Sequence, residues 1–103
     1  MDLSVSDLKG KMDRGDQFVF IDVREKHEYE EFNLGARLIP LGDIMSQLAE
    51  ISDDKNAEII VHCRSGQRSG MAKTLLLQFG YTKVSNLLGG VLAWQELYGN
   101  YKP

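Results

Sequence analysis

Apolar residues fall along this chain in short clusters whose spacing alternates between helical and strand-like, with polar breaks between them. Val5, Leu8 and Met12 share one side of a helix that Ser4 or Ser6 can cap and that ends near Asp13-Arg14-Gly15. Phe18-Val19-Phe20-Ile21 is apolar at every position and closes on Asp22, as expected of a parallel strand covered on both faces. A brief, highly charged helix is expected from Lys26 to Phe32, lying on the rim with Tyr29 and Phe32 turned inward. Leu38-Ile39 reads as a two- or three-residue strand stopped by Pro40, which lacks the donor of a central ladder. Gly42-Asp43 then opens a helix carrying Ile44, Leu48 and Ile51, with Asp43 as its N-cap.

Ser52 to Asn56 forms a solvent-facing connection, and Glu58 to His62 is the clearest central strand. A helix follows from about Gln67 to Phe79, its apolar stripe drawn through Met71, Leu75, Leu76 and Phe79, with Gly80 beyond its end. Lys83 to Leu87 returns as a strand, and Gly89-Gly90 leads into a last helix carrying Val91, Trp94, Leu97 and Tyr98. Short strands alternating with helices predict an α/β fold, a small and mainly parallel sheet with helices on both faces. Ligands of such sheets bind beyond the carboxyl ends of the strands. Asp22, Cys63 and Gly89 all fall at or just past such ends, although they are far apart in the chain.

With 103 residues, 43% of them apolar, the chain is expected to fold as one domain over 1–103 around one core. Its net charge is -3, and twelve Lys and Arg are interspersed with fifteen Asp and Glu. No face is built for a polyanion, so neither nucleic acid nor membrane is an expected partner. The opening Met1-Asp2-Leu3-Ser4 leads into no apolar signal core, and no hydrophobic run approaches the roughly 20 residues of a membrane span, which points to the cytoplasm. A single cysteine excludes an internal disulfide and a thiolate-cluster metal site. No Gly-rich nucleotide fingerprint follows a strand, so no cofactor is expected.

That cysteine, Cys63, stands where Ile59-Ile60-Val61 gives way to Arg64-Ser65-Gly66-Gln67-Arg68-Ser69. A strand thus delivers a thiol into a cationic loop at the start of a helix. Two guanidinium groups, several backbone N–H groups and the positive helix end all favour its anion. Arg68 is expected to serve the reaction; Arg64 either does so or faces solvent. The hydroxyls of Ser65 and Ser69 either donate to an anion or cap the helix. Gly66 supplies the unusual φ of a loop whose amides converge, or a plain turn. Asp22 is expected to support the pocket by binding amides or an arginine, and Arg24 to pair with an acidic neighbour or add to the rim field. Strand alternation sends His62 to the face opposite Cys63, so no Cys-His pair is expected. His27 lies on the rim, Gly89-Gly90 either approaches the loop or simply enters the last helix, and Trp94 belongs to the core.

These residues together resemble a single-domain rhodanese, over nearly the whole chain. The marks are Phe20-Ile21-Asp22-Val23-Arg24-Glu25, Gly35-Ala36 through Ile39-Pro40-Leu41, the loop from Cys63 to Ser69, and Leu88-Gly89-Gly90-Val91 with Trp94, in the family's order and spacing. One departure is that Phe32-Asn33-Leu34-Gly35-Ala36 stands one residue shorter than the family's Gly-His-Ile-Pro-Gly-Ala step and lacks its histidine. The resemblance implies a three-layer sandwich and a sulfurtransferase. In it Cys63 accepts a sulfane sulfur from a donor such as thiosulfate, holds it as a persulfide, and passes it to cyanide or a thiol. It also implies that the amides from Arg64 to Ser69, Gln67 included, line a cradle, and that Arg64 and Arg68 occupy a substrate-facing and a loop-closing position. Small sulfur anions and thiols, protein persulfides and thioredoxin-like acceptors are the partners it suggests.

Two rival readings bear on the same residues. A cysteine-dependent phosphatase or arsenate reductase loop places five residues between Cys and Arg, whereas only Arg64, Ser65, Gly66 and Gln67 separate Cys63 from Arg68. The shorter loop makes a tighter cradle, with room for a terminal sulfur but less for a phosphoryl group. A module that kept the fold and abandoned turnover would typically lack the nucleophile, and Cys63 is present. A carrier relaying sulfur between proteins would use the same residues.

Overall fold

Ser4 begins the first helix, α1 (Val5–Arg14), with a reciprocal cap: its hydroxyl accepts from the Asp7 amide while the Asp7 carboxylate accepts from the Ser4 amide. The apolar run that follows becomes β1 (Val19–Asp22), the charged rim segment becomes α2 (Lys26–Glu31), and β2 (Arg37–Leu38) is two residues long. Further on come β3 (Glu58–His62), α4 (Gln67–Phe79), β4 (Lys83–Asn86) and α5 (Gly90–Tyr98), after a short α3 (Ile44–Gln47). In this computed structural model, which describes residues 2–103, the four strands form one parallel sheet in the order β2-β1-β3-β4.

Side chains alternate across the sheet and so divide the core into two layers. Ile59, Val61 and then Cys63 face one side with Ile21 and Val84, where Ile44 and Leu48 of the α3 segment and Ala72 and Leu76 of α4 cover them. Ile60 faces the other side with Leu87, under Val5 and Leu8 of α1 and Val91 and Trp94 of α5. Each such side chain withdrawn from water contributes about 1.5 to 3 kcal/mol before entropy is counted. Helices therefore lie on both faces, and β3 is central, with its carboxyl end at Cys63. Among the described residues no helix is long and apolar enough to cross a membrane.

Several local expectations are corrected. The helix opened by Gly42-Asp43 is broken: a 3-10 turn (Leu41–Asp43), the four-residue α3 and a second 3-10 turn (Leu48–Glu50) follow one another. Ile44, Leu48 and Ile51 are nonetheless buried. Asp43 makes no capping bond, because its φ of -102 and ψ of -6 keep it in the helical region, away from the extended geometry a capping side chain needs. In α4 the inward face runs through Ser69, Ala72 and Leu76, while Met71 and Phe79 are 54% and 40% exposed. Small residues are required there because the first turn of α4 closes directly over the end of β3. Leu97 of α5 likewise turns to solvent, whereas Val91 and Trp94 are buried. Tyr29 and Phe32, both half-buried, do turn inward: the Tyr29 hydroxyl donates to the Ala36 carbonyl at 2.7 Å and Phe32 packs against the layer under α1 and α5.

Candidate active site

Two backbone amides donate to the Cys63 sulfur, Gly66 at 3.1 Å and Ser69 at 3.4 Å, and the Ser69 hydroxyl group lies 3.3 Å from it. The chain can turn back on its own thiol because Gly66 adopts a φ of 105, a left-handed conformation that costs glycine little. Since α4 starts at Gln67, the sulfur also lies at the positive end of that helix. Burial pushes the Cys63 thiol up, but the hydrogen bonds that the surrounding loop directs at the sulfur outweigh it and leave the thiol below its ordinary value. Only 1% of the Cys63 surface remains accessible, so the sulfur lies at the bottom of its loop. Neither serine caps α4: its N-cap position is Gly66, and Ser69 spends its hydroxyl deeper in the site.

Arg68 does not face the sulfur with a free guanidinium. It makes a two-pronged pair with Glu28 of α2, at 2.7 and 2.9 Å, and thereby ties the active loop to the rim helix. Glu28 also accepts the Glu25 amide at 3.0 Å, so one carboxylate caps its own helix and holds the loop. The Arg68 guanidinium holds the Glu28 carboxyl down to about 2, against partial burial. A carboxyl depressed in the folded state stabilises the fold above its unfolded value and loses that contribution as pH falls through the folded one. The wild type is therefore expected to lose about 1 to 2 kcal/mol of this contribution between pH 4.5 and 2, less than the full shift implies because the pair is partly exposed. Urea unfolding over that range checks it; Glu28→Gln should remove the loss, and identical slopes in both proteins would refute it.

At the end of β1, Asp22 and Arg24 form a buried pair. The Arg24 guanidinium meets both carboxylate oxygens at 2.8 to 3.1 Å, and the Arg24 amide donates to the same carboxylate at 3.0 Å. Remaining guanidinium donors reach the carbonyls of Glu28 at 3.3 Å and Phe32 at 2.6 Å, so Arg24 shapes α2 from inside rather than standing free on the rim. His62 is buried on the opposite side of β3 from the thiol. Its Nδ1 lies 3.3 Å from the Cys63 carbonyl, not the sulfur, and its Nε2 lies 3.5 Å from Asp22. Burial lowers its pKa despite Asp22, which keeps it neutral near pH 7. His27 is exposed on the rim.

From the other side, α5 holds the loop by its backbone. The amides of Val91 and Leu92 donate to the carbonyls of Cys63 and Arg64, each at 3.0 Å. Gly89-Gly90 therefore both approaches the loop and enters the helix. A Cβ on Gly90 would meet the Cys63 carbonyl and lie 2.7 Å from the Arg64 carbonyl, at a φ of 54. Gly90→Ala is expected to cost about 2 to 5 kcal/mol, from left-handed strain and overpacking together. A urea midpoint within error of the wild type would contradict this close approach.

The Arg64 side chain is exposed and lines an open cleft of about 600 Å³ between α2 and α5, with Glu28, Phe32, Leu92, Gln95 and Lys102. Two residues of the site escaped the sequence reading. Glu28 lay in a helix taken as mere rim, although the Glu25/Glu28 spacing marks a capping box. Asn86, at the carboxyl end of β4, accepts the Ser69 hydroxyl at 2.6 Å and donates to the Gly66 carbonyl at 3.0 Å. The strand-end rule that singled out Asp22 and Cys63 applies equally to Asn86.

The chain is similar to several known proteins. The thiosulfate sulfurtransferase PspE of Escherichia coli is 39% identical over 71 residues, 68% of this chain and 68% of that protein. The uncharacterized protein YqhL of Bacillus subtilis is 41% identical over 75 residues, 72% of this chain and 58% of its own length. The chain spans half the length of a further Bacillus subtilis relative. Among solved structures, a rhodanese-like domain protein from Staphylococcus aureus superposes with a TM-score of 0.82 at 28% identity, covering 91% of both chains. Residues 4–97, from the first capped helix to the last, match the family described as the rhodanese-like domain, and the chain belongs to that family.

Proposed function

We propose that this chain transfers a sulfane sulfur through a persulfide on Cys63. The observation that carries the reading is the convergence of the Gly66 and Ser69 amides on a thiol whose pKa is lowered. The thiolate attacks the outer sulfur of thiosulfate, a new S–S bond forms on Cys63, and the S–S bond of the donor breaks with its electron pair leaving on sulfite. A thiophilic acceptor then attacks the terminal sulfur: cyanide leaves as thiocyanate, a thiol as its persulfide, and the Cys63 thiolate returns. Amides aimed at the sulfur stabilise the charge that both steps place there. The amides of Ser65 and Gln67 complete the cradle. Arg64 meets the incoming anion at the mouth, while Arg68 acts through Glu28 to keep the loop closed, with Asp22, Arg24 and Gly89 supporting it. A sulfur with so little exposed surface is reached by the terminal atom of a donor rather than by a bulky group.

Intact-mass measurement after incubation with thiosulfate tests this. A gain of one sulfur, discharged by cyanide or dithiothreitol, supports it; no gain from thiosulfate or from a persulfide donor overturns it. A carrier role between proteins is favoured by Leu88 and Leu92, 52% and 41% exposed beside the loop, the latter joined to the Arg64 carbonyl. Loading from a protein persulfide much faster than from thiosulfate would establish that version.

A further inference from the structure

The Ser69 hydroxyl has one proton and two neighbours that could take it. Asn86 Oδ1 is 2.6 Å away and the Cys63 sulfur 3.3 Å. The orientation of the Asn86 amide is settled by its other end, where Nδ2 donates to the Gly66 carbonyl at 3.0 Å; the reverse rotation would set two oxygens against each other. An acceptor oxygen therefore faces Ser69 at the shorter distance, and the hydroxyl proton lies on that side. What Ser69 then presents to Cys63 is an oxygen lone pair, which receives the S–H of the thiol. Both Ser69 and Asn86 are buried, so water does not substitute for either partner.

Resting on the reading of Cys63 as the sulfur acceptor, we infer that Asn86 is a positioning residue: through the Ser69 hydroxyl it forms a relay, Cys63 S–H to Ser69 Oγ and Ser69 O–H to Asn86 Oδ1, that stabilises the neutral thiol and so sets the pH at which the nucleophile forms. As long as Asn86 keeps the hydroxyl proton, the anion is held by backbone amides, those of Gly66 and Ser69 among them. When the thiol ionises, its proton leaves to solvent, and the hydroxyl either keeps its bond to Asn86 with a lone pair toward the anion, or turns to the sulfur and leaves Asn86 Oδ1 buried without a donor. Either course raises the cost of ionisation. The relay thus tempers what the amides do, and a thiol that is neutral part of the time is spared from oxidation and side reactions.

The other charged groups about the thiol lie on different elements and need not change. They are Arg64 in the loop, Arg68 on α4 with Glu28 of α2, Asp22 and Arg24 at the end of β1, and neutral His62 on β3. From β4 and α5 the site receives Asn86 and the backbone of Gly89 to Leu92, with nothing ionisable.

Because Cys63 is the only cysteine, thiolate absorbance in the ultraviolet and the rate of alkylation by iodoacetamide both report its titration directly, without any sulfur donor. The test is a double-substitution cycle on the whole chain. Ser69→Ala in the wild type is expected to leave the midpoint unchanged or lower it. In Asn86→Ala, where the hydroxyl is free to donate to the anion, the same substitution is expected to raise the midpoint by about one pH unit. A rise of that size from Ser69→Ala in the wild type overturns the relay, and so does an equal effect in both backgrounds. The first arm needs no Asn86 variant and stays decisive if that variant fails to fold. Sulfur uptake by intact mass is read separately, so a missing reversal with normal loading counts against the relay alone, and absent loading with a clear reversal counts against the transfer reading alone.

Discussion

Cys63→Ser is expected to take up no sulfur from thiosulfate or from a persulfide donor, at any pH at which the protein stays folded. The substitution keeps the side chain small, and the Gly66 and Ser69 amides remain aimed at position 63. A serine hydroxyl is not ionised in the working range and has no base beside it, because the only adjacent imidazole, His62, points to the Cys63 carbonyl from the other side of the strand. The wild type should load at a rate that follows a thiolate titration with its midpoint below the ordinary thiol value of about 8.5. Intact mass against pH reads both. Any sulfur retained by the serine variant, or a wild-type midpoint above the ordinary value, would remove the basis of the mechanism.

Arg24→Met is expected to have the largest effect on stability. Asp22 is fully buried and Arg24 almost so, and the methionine would leave the carboxylate with no cation in contact. Removing one partner of such a pair costs about 3 to 5 kcal/mol, a large part of the roughly 5 to 15 kcal/mol that holds a domain of this size. The carbonyls of Glu28 and Phe32 would lose their donor at the same time, so α2 and with it the Glu28–Arg68 tie should loosen. Adding Asp22→Asn should recover much of the loss, since no unpaired charge stays inside. Urea unfolding of the single and double variants measures this; a loss below about 1 kcal/mol for Arg24→Met would show that the pair contributes little.

Residues whose roles follow from local pattern were legible in the chain itself. β3 and α4 stand at the bounds drawn for them, Glu58–His62 and Gln67–Phe79, because an apolar run, a loop and a helical repeat leave little choice of boundary. The position of Cys63 at a strand end and a helix start follows from the same neighbours. What escaped depends on partners distant in sequence. Glu28 meets Arg68 forty positions away, and Asn86 meets Ser69 seventeen away, so neither bond leaves a trace in the spacing around it. The inward face of α4 is legible only in part: Leu75 and Leu76 of the apolar stripe pack on the core, but the start of the helix turns Ser69 and Ala72 inward in place of Met71. The broken helix around α3 buries the same three apolar residues that an unbroken one would, and periodicity alone does not distinguish them.

The Val91 and Leu92 amides that hold the loop carbonyls belong to a helix that follows the loop only after α4 and β4. During synthesis a ribosome thus emits the thiol well before the residues that shape its surroundings. Until α5 docks, the Cys63 and Arg64 carbonyls lack the two amides that hold them, so the backbone around the thiol reaches its final order late, through folding of the last helix.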